Sequence, residues 1–139
     1  MIDWALCEAA MEVLKVRTDR RTQFVDVTDM VRRAVEKAGI ASGVCYVYAP
    51  HTTAGIMINE HFDSDVAADL EGVLDRLLPR SEAYRHSEGN SDSHAKAALV
   101  GTSQVIFVEE GKLALGRWQG VFFCEFDGPR ERKIWVKVM

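Results

Sequence analysis

Apolar and polar residues alternate in several short runs, and these are separated by stretches with a helical period. Residues 11–18 set Met11, Val13, Leu14 and Val16 among Glu12, Lys15 and Arg17, which predicts a strand with one imperfect step. Asp19-Arg20-Arg21 reads as a polar turn, and residues 24–27 as a second strand, so the two are expected to pair as a hairpin. Thr28 then offers an N-cap oxygen. Val31, Ala34, Val35 and Ala38 follow the i, i+3, i+4, i+7 pattern of a helix over residues 29–38. Gly39 stops it, because glycine reaches positive φ at no steric cost.

Residues 43–49 are β-branched and aromatic, as in a central strand. Pro50 ends the pairing, since it has no N–H to donate. Residues 54–59 resume the strand pattern, with Ile56 and Ile58 on one side. Asp63 or Ser64 can cap a second helix that carries Val66, Leu70, Val73, Leu74 and Leu77 as an apolar stripe, with Pro79 just past its end. Ser91 is a cap for a short third helix, with Asp92 favourable in the first turn and Gly101 as the stop. Four further strands follow, over residues 104–108, 112–115, 121–126 and 133–138. In the last, Ile134, Val136 and Val138 alternate with Lys133, Trp135 and Lys137. Consecutive strands with short turns pair antiparallel. The fold class is α+β: an antiparallel β-sandwich, jelly-roll-like, with two to three helices. Residues 1–10 read as an N-terminal extension, as a short helix or as sequence upstream of a start at Met11, and residues 11–139 as a single domain.

Composition narrows the function classes. The chain has 139 residues, 47% of them apolar, enough for one domain with a real core. A net charge of −4 argues against a nucleic-acid or anionic-membrane surface. No run approaches the roughly 18 apolar residues of a membrane span. Asp3 and Glu8 occupy the region where a signal peptide would be basic. Cys7, Cys45 and Cys124 are odd in number and widely spaced, which suggests reduced thiols in a cytoplasmic protein.

The segment from His86 to His94 carries no apolar period and is too polar to be buried unpaired. It brackets Glu88, Gly89, Asn90 and Asp92 with two imidazoles. All four histidines, His51, His61, His86 and His94, lie in the middle third of the chain. Imidazole is a common metal ligand and acid–base group; histidines that simply face water are the ordinary alternative. His51 sits where the chain leaves a strand, and His94 in a first helical turn, where free N–H groups favour an anion. Thr52 and Thr53 can donate to phosphate oxygens or satisfy local backbone. Glu60 and Glu88 can each serve as ligand, base or solvated carboxylate. Asn90 helps the loop turn. Gly116-Arg117-Trp118-Gln119-Gly120 reads as a turn, or as a pocket wall through Gln119 or Arg117. Glu125 is odd within Phe122-Phe123-Cys124-Glu125-Phe126. It faces solvent by alternation, or is buried with a partner such as a histidine or a metal.

Several ordered motifs resemble one family. They are His51-Thr-Thr-Ala-Gly with Asn59-Glu60, then Tyr84-Arg-His-x-Glu-Gly-Asn-x-x-x-His94. Leu113-x-Leu-Gly-x-Trp-Gln-Gly120 and Glu125-Phe-Asp-Gly-Pro-Arg130 complete the set. The chain is similar in these to the YjbQ-like family, also called the secondary thiamine-phosphate synthase family, from about Val13 to the C-terminus. His61 stands where that family often has asparagine and is not carried into the site. The resemblance implies a compact β-sandwich with helices, a homotrimer, and sites near subunit contacts. It also implies a weak thiamine-phosphate synthase activity, which joins hydroxymethylpyrimidine diphosphate to a thiazole phosphate and releases pyrophosphate. On that reading His51, Glu60, His86, Glu88 and His94 carry the catalysis. Thr52, Thr53, Asn90, Gln119 and Glu125 bind substrate. A divalent metal, zinc or magnesium, sits on His51, His86 and His94 and neutralises the leaving group. The alternative is a trimer that binds a metal or a phosphorylated metabolite without turning it over.

Overall fold

The structure, a computed structural model, describes residues 11–81 and 83–139; the expectations for residues 1–10 lie outside them. The elements are β1 (Glu12–Arg17), β2 (Gln23–Asp26), α1 (Thr28–Ala38), β3 (Gly43–Tyr48), β4 (Ala54–Glu60), α2 (Ser64–Leu77), α3 (Ser91–Val100), β5 (Ser103–Glu109), β6 (Lys112–Leu113), β7 (Gln119–Glu125) and β8 (Glu131–Val138). They build two antiparallel sheets, one of order β1-β8-β3-β5-β6 and one of order β2-β7-β4. The class is α+β, as the periodicity predicts.

Strand β7 explains the layering. Its residues are buried on both faces, so it reads as a continuous apolar run rather than an alternation. Val121 and Phe123 point into the sandwich and join Val16, Val47, Ile56, Ile106, Ile134 and Val136. Phe122 and Cys124 point the other way and pack with Phe126, Ala97 of α3 and Leu74 of α2. Helices α2 and α3 therefore cover the outer face of the three-stranded sheet. Helix α1 buries Val31, Ala34 and Val35 and touches β6, β7 and β8, so it bridges both sheets. Each fully buried valine, isoleucine or phenylalanine among them contributes about 1.5–3 kcal/mol.

Four local expectations are corrected. β1 and β2 do not form a hairpin: β1 pairs with β8 and β2 with β7, so the 19–22 turn carries the chain from one sheet to the other. β7 and β8 likewise lie in different sheets. Helix α1 begins at Thr28, with Val27 at the cap and no side-chain cap bond. The Thr28 hydroxyl instead accepts the Val121 N–H at 2.9 Å, which joins the helix start to β7. The apolar stripe of α2 is also less buried than its pattern suggests, with Val73 and Leu77 exposed.

Helix α3 is held by charge. Asp92 is fully buried and takes two bonds of 3.1 Å from Arg21, in the 19–22 turn. Lys96, also buried, reaches Asp92 at 3.3 Å and Asp75 of α2 at 2.6 Å. Ser93 donates to the Phe126 carbonyl. The first turn of α3 is thus fastened to both sheets' connections. Burial alone would raise the Asp92 carboxyl, but the bonds and charges of Arg21 and Lys96 outweigh it and hold it below the usual range. A depressed native carboxyl stabilises the fold above its unfolded value of about 3.9, and loses that stabilisation as pH falls through the lower folded value. Asp92→Asn should cost about 3 kcal/mol at pH 7, because it takes from Arg21 its buried carboxylate partner and from buried Lys96 one of its two. Urea unfolding from pH 7 down to pH 3 checks this: the variant's deficit should shrink at the acid end, and a pH-independent deficit would contradict the assignment.

Candidate functional site

The register of β3 on β8 decides where His51 lies. Tyr48 pairs with Trp135, so the next partner position for Lys133 would fall at Pro50, which cannot donate. The ladder stops, and the imidazole of His51 takes over. Its Nε2 lies 3.0 Å from the Lys133 N and 3.1 Å from the Lys133 carbonyl. The backbone N–H can only donate, and an unpaired N–H costs more than an under-used carbonyl. We therefore assign Nε2 as the acceptor, which leaves the proton on Nδ1. Burial pushes the His51 pKa down, and the charge of Arg132 pushes the same way, so the ring is neutral near pH 7.

Beside His51 lies a pocket of about 380 Å³ whose lining includes Thr52, Thr53, Glu88, Asn90, His94, Asp127, Arg130 and Arg132. Its floor is a buried ion pair. Arg132 continues the inward phase of Ile134, Val136 and Val138, and Glu125 that of Val121 and Phe123, so they meet inside the sandwich. Arg132 binds both Glu125 oxygens, with Nε at 2.8 Å from Oε1, and donates to the Thr53 hydroxyl at 2.8 Å. Thr18 donates to Glu125 at 2.8 Å, and the Phe126 and Asp127 N–H groups add bonds of 3.1 Å each. Glu125 therefore has a partner, as its setting suggested, but the partner is a guanidinium rather than a histidine or metal. Every oxygen of Glu125 is committed, so it supports the pocket rather than contacting a ligand.

The rim has a second pair. Arg130 donates to Asp127 through Nη2 at 3.1 Å, and Asn90 Nδ2 donates to the same carboxylate oxygen at 2.9 Å. A carboxylate can only accept, which fixes the Asn90 amide; its Oδ1 is buried and has no partner among the described residues. His86 is outside the lining. Its ring meets His94 edge-on at 5.5 Å, and its Nε2 lies 3.7 Å from Glu88.

Of the predicted residues, His51, Thr52, Thr53, Glu88, Asn90 and His94 share this pocket, and His86 abuts it. Glu60 and Gln119 do not. They pair with each other at the opposite end of the β4–β7 ladder from the Ala54–Glu125 pair. A seven-residue strand spans about 20 Å, too far for a shared site within one chain. Glu60 accepts the N–H groups of Phe62 and Asp63, and Gln119 accepts that of Gly116, so both shape turns there. His61 lies over Gly120, where a Cβ would collide with its ring, and binds Asp26 at 2.8 Å. Among the described residues, no three His, Cys, Asp or Glu side chains gather closely enough to hold a metal ion. The three-imidazole centre is thus not assembled within one chain, and the Nδ1–H form of His51 has no free lone pair to offer it. Arg130 and Arg132 were not singled out from the sequence for the pocket. The signal for Arg132 was present, in the period-2 phase of β8.

The family model described as "UPF0047 protein YjbQ-like" matches residues 12–139. Among curated relatives, a UPF0047 protein of Methanocaldococcus jannaschii is 45% identical over 90% of this chain and 91% of its own length. The UPF0047 protein YugU of Bacillus subtilis is 45% identical over 93% of this chain and 98% of its own. Among solved structures, a yjbq/upf0047 family protein of Clostridium acetobutylicum matches with a TM-score of 0.91 at 48% identity, over 92% of this chain and 99% of that one. A YbjQ-like protein of Sulfolobus solfataricus matches with a TM-score of 0.89 at 37% identity, over 92% and 94%.

The His51 assignment is checked by long-range proton–nitrogen NMR. The ring should show the Nδ1–H tautomer at pH 7 and titrate below the ordinary 6.5. A lowered histidine pKa means that its share of stability is present above 6.5 and is lost as pH falls from there through the folded value. A midpoint above 6.5, or an Nε2–H ring, would contradict it.

Proposed function

The chain belongs to the YjbQ-like UPF0047 family, and we propose that its pocket binds the phosphate groups of a small metabolite and serves a thiamine-phosphate synthase reaction. The observation that carries the reading is the convergence of His51, Thr52, Arg130 and Arg132 on one pocket beside the first turn of α3. All four side chains can donate hydrogen bonds, and bonds to phosphate oxygens are charge-assisted. In the reaction, the thiazole nitrogen forms a bond to the methylene carbon of the pyrimidine. The bond from that carbon to the diphosphate oxygen breaks, and pyrophosphate leaves with the electron pair. The donors hold the departing charge, and His94 is placed to manage a proton at its edge.

The outer face of the five-stranded sheet supports a homotrimer. Tyr46, Tyr48, Val105 and Phe107 all point outward, and Phe107 is 66% exposed. Val13 and Trp135 extend the same surface. A contiguous apolar area of this kind marks an interaction surface, and a further copy of the chain is the partner we propose.

A second reading, binding without turnover, is favoured by the pairing of both guanidiniums with carboxylates, which tempers the pocket's charge. Purified protein given both substrates should release pyrophosphate and yield thiamine phosphate by mass spectrometry. His51→Ala and His94→Ala should each lower the rate at least tenfold with the circular dichroism unchanged. Unaltered rates would refute the site, whereas phosphate binding with no product would select the second reading. Phe107→Asp should convert the assembly to monomer by light scattering; an unchanged mass would move the contact elsewhere.

A further inference from the structure

The pocket's polar groups divide between chain segments. The β3–β4 connection and the approach to β8 supply the donors Thr52, Arg130 and Arg132, with the Asp127 carboxylate held by Arg130. Arg132 Nη1 has no hydrogen-bond partner among the described residues, although the side chain is only 4% exposed. The loop before α3 supplies Asn90 and Glu88. The Asn90 nitrogen is committed to Asp127 and its Oδ1 is buried, so the amide holds the loop in place. Glu88 presents a carboxylate that lies 3.7 Å from His86 and has no arginine or lysine ion-pair partner among the described residues.

The charge balance gives this division a consequence. Arg132 is compensated by Glu125 and Arg130 by Asp127. His51 is neutral near pH 7. Glu88 is then the lining carboxylate without a guanidinium partner among the described residues. A bare dianion would meet good donors but no net positive field, and would approach a carboxylate. A ligand that brings a positive group beside its phosphate meets the donors with the phosphate and the Glu88 carboxylate with the positive group.

Building on the phosphate-binding half of the reading above, and not on the synthase substrates, which carry no ammonium group, we propose that the pocket selects a zwitterion: a short phosphate monoester that also carries an ammonium group, with Glu88 as the specificity-determining residue. The phosphate lies against Arg132, Arg130 and Thr52, and the ammonium group against Glu88. Glu88 is largely exposed, so its carboxylate reorients at little cost to meet the ligand.

Calorimetry on the full chain, with chelator present, tests this with ethyl phosphate and phosphoethanolamine. Phosphoethanolamine should bind about tenfold more tightly, the effect of one charge-assisted hydrogen bond. Glu88→Gln should cut that advantage to about threefold or less and leave ethyl phosphate affinity unchanged or improved. Equal affinities in the unaltered chain, or an advantage that survives Glu88→Gln, would overturn the zwitterion inference while leaving the phosphate reading in place. Phosphate binding that appears only when zinc or magnesium is supplied would also overturn it, in favour of a metal as the positive partner. Failure of both probes to bind would overturn this inference and the phosphate reading together.

Discussion

The ion pair of Glu125 and Arg132 is the contact on which the molecule closes. Glu125 ends β7, in the three-stranded sheet, and Arg132 opens β8, in the five-stranded sheet. Thr18, just past β1, and Thr53, just before β4, are drawn into the same cluster. One buried group of charges thus binds the ends of four strands from two sheets. Isolated, either charge would be costly to bury, and the pair is repaid only because further hydrogen bonds fill the carboxylate's remaining positions. Gly128 is part of the same constraint. A Cβ there would press on the Arg20 carbonyl, the Thr18 hydroxyl and Glu125 itself, so the turn between the two sheets can lie this close only with glycine.

This constraint also separates what the sequence displays from what it conceals. Element types were legible where a segment carries its own period, as in α1 through Val31, Ala34 and Val35 and in β8 through Ile134, Val136 and Val138, or a short apolar run, as in β7. Pairing was not. Asp19-Arg20-Arg21 looks like a hairpin turn, yet Arg21 is spent on buried Asp92, and the chain crosses between sheets there. A short polar turn shows that the chain reverses; it carries no statement of which sheet receives the next strand. Asp92 misleads for a related reason. At the start of a helix an acid needs no partner beyond the helix dipole, so nothing local indicates its burial against Arg21 and Lys96.

The candidate site was legible in the same uneven way. His51, Thr52, Thr53, Glu88, Asn90 and His94 were recognisable as polar residues at chain exits and on a helix start, and these do share a pocket. Glu60 and Gln119 looked alike in kind, but strand length places them at the far end of the β4–β7 ladder. Residue chemistry identifies candidates, and register decides which of them meet. Arg132 illustrates the converse. It belonged to the visible alternation of β8 and was overlooked because a basic residue is ordinarily assigned to the solvent face.

The pocket's chemistry follows from its dependence on the closing ion pair. Because Arg132 is fixed by Glu125 and Thr53, the guanidinium is oriented before any ligand arrives, and little side-chain freedom remains to be lost on binding. The same pairing removes its net charge, so the pocket gains geometry at the expense of field. The loop before α3 is built differently: Glu88 is largely exposed and lies 3.7 Å from His86, while Asn90 is anchored through Asp127. Rigid donors and an adaptable carboxylate suit the ligand proposed above, whose phosphate is constant and whose remaining groups vary. The fold supplies the rigid half through its closing contact, and the loop before α3 supplies the half that can discriminate.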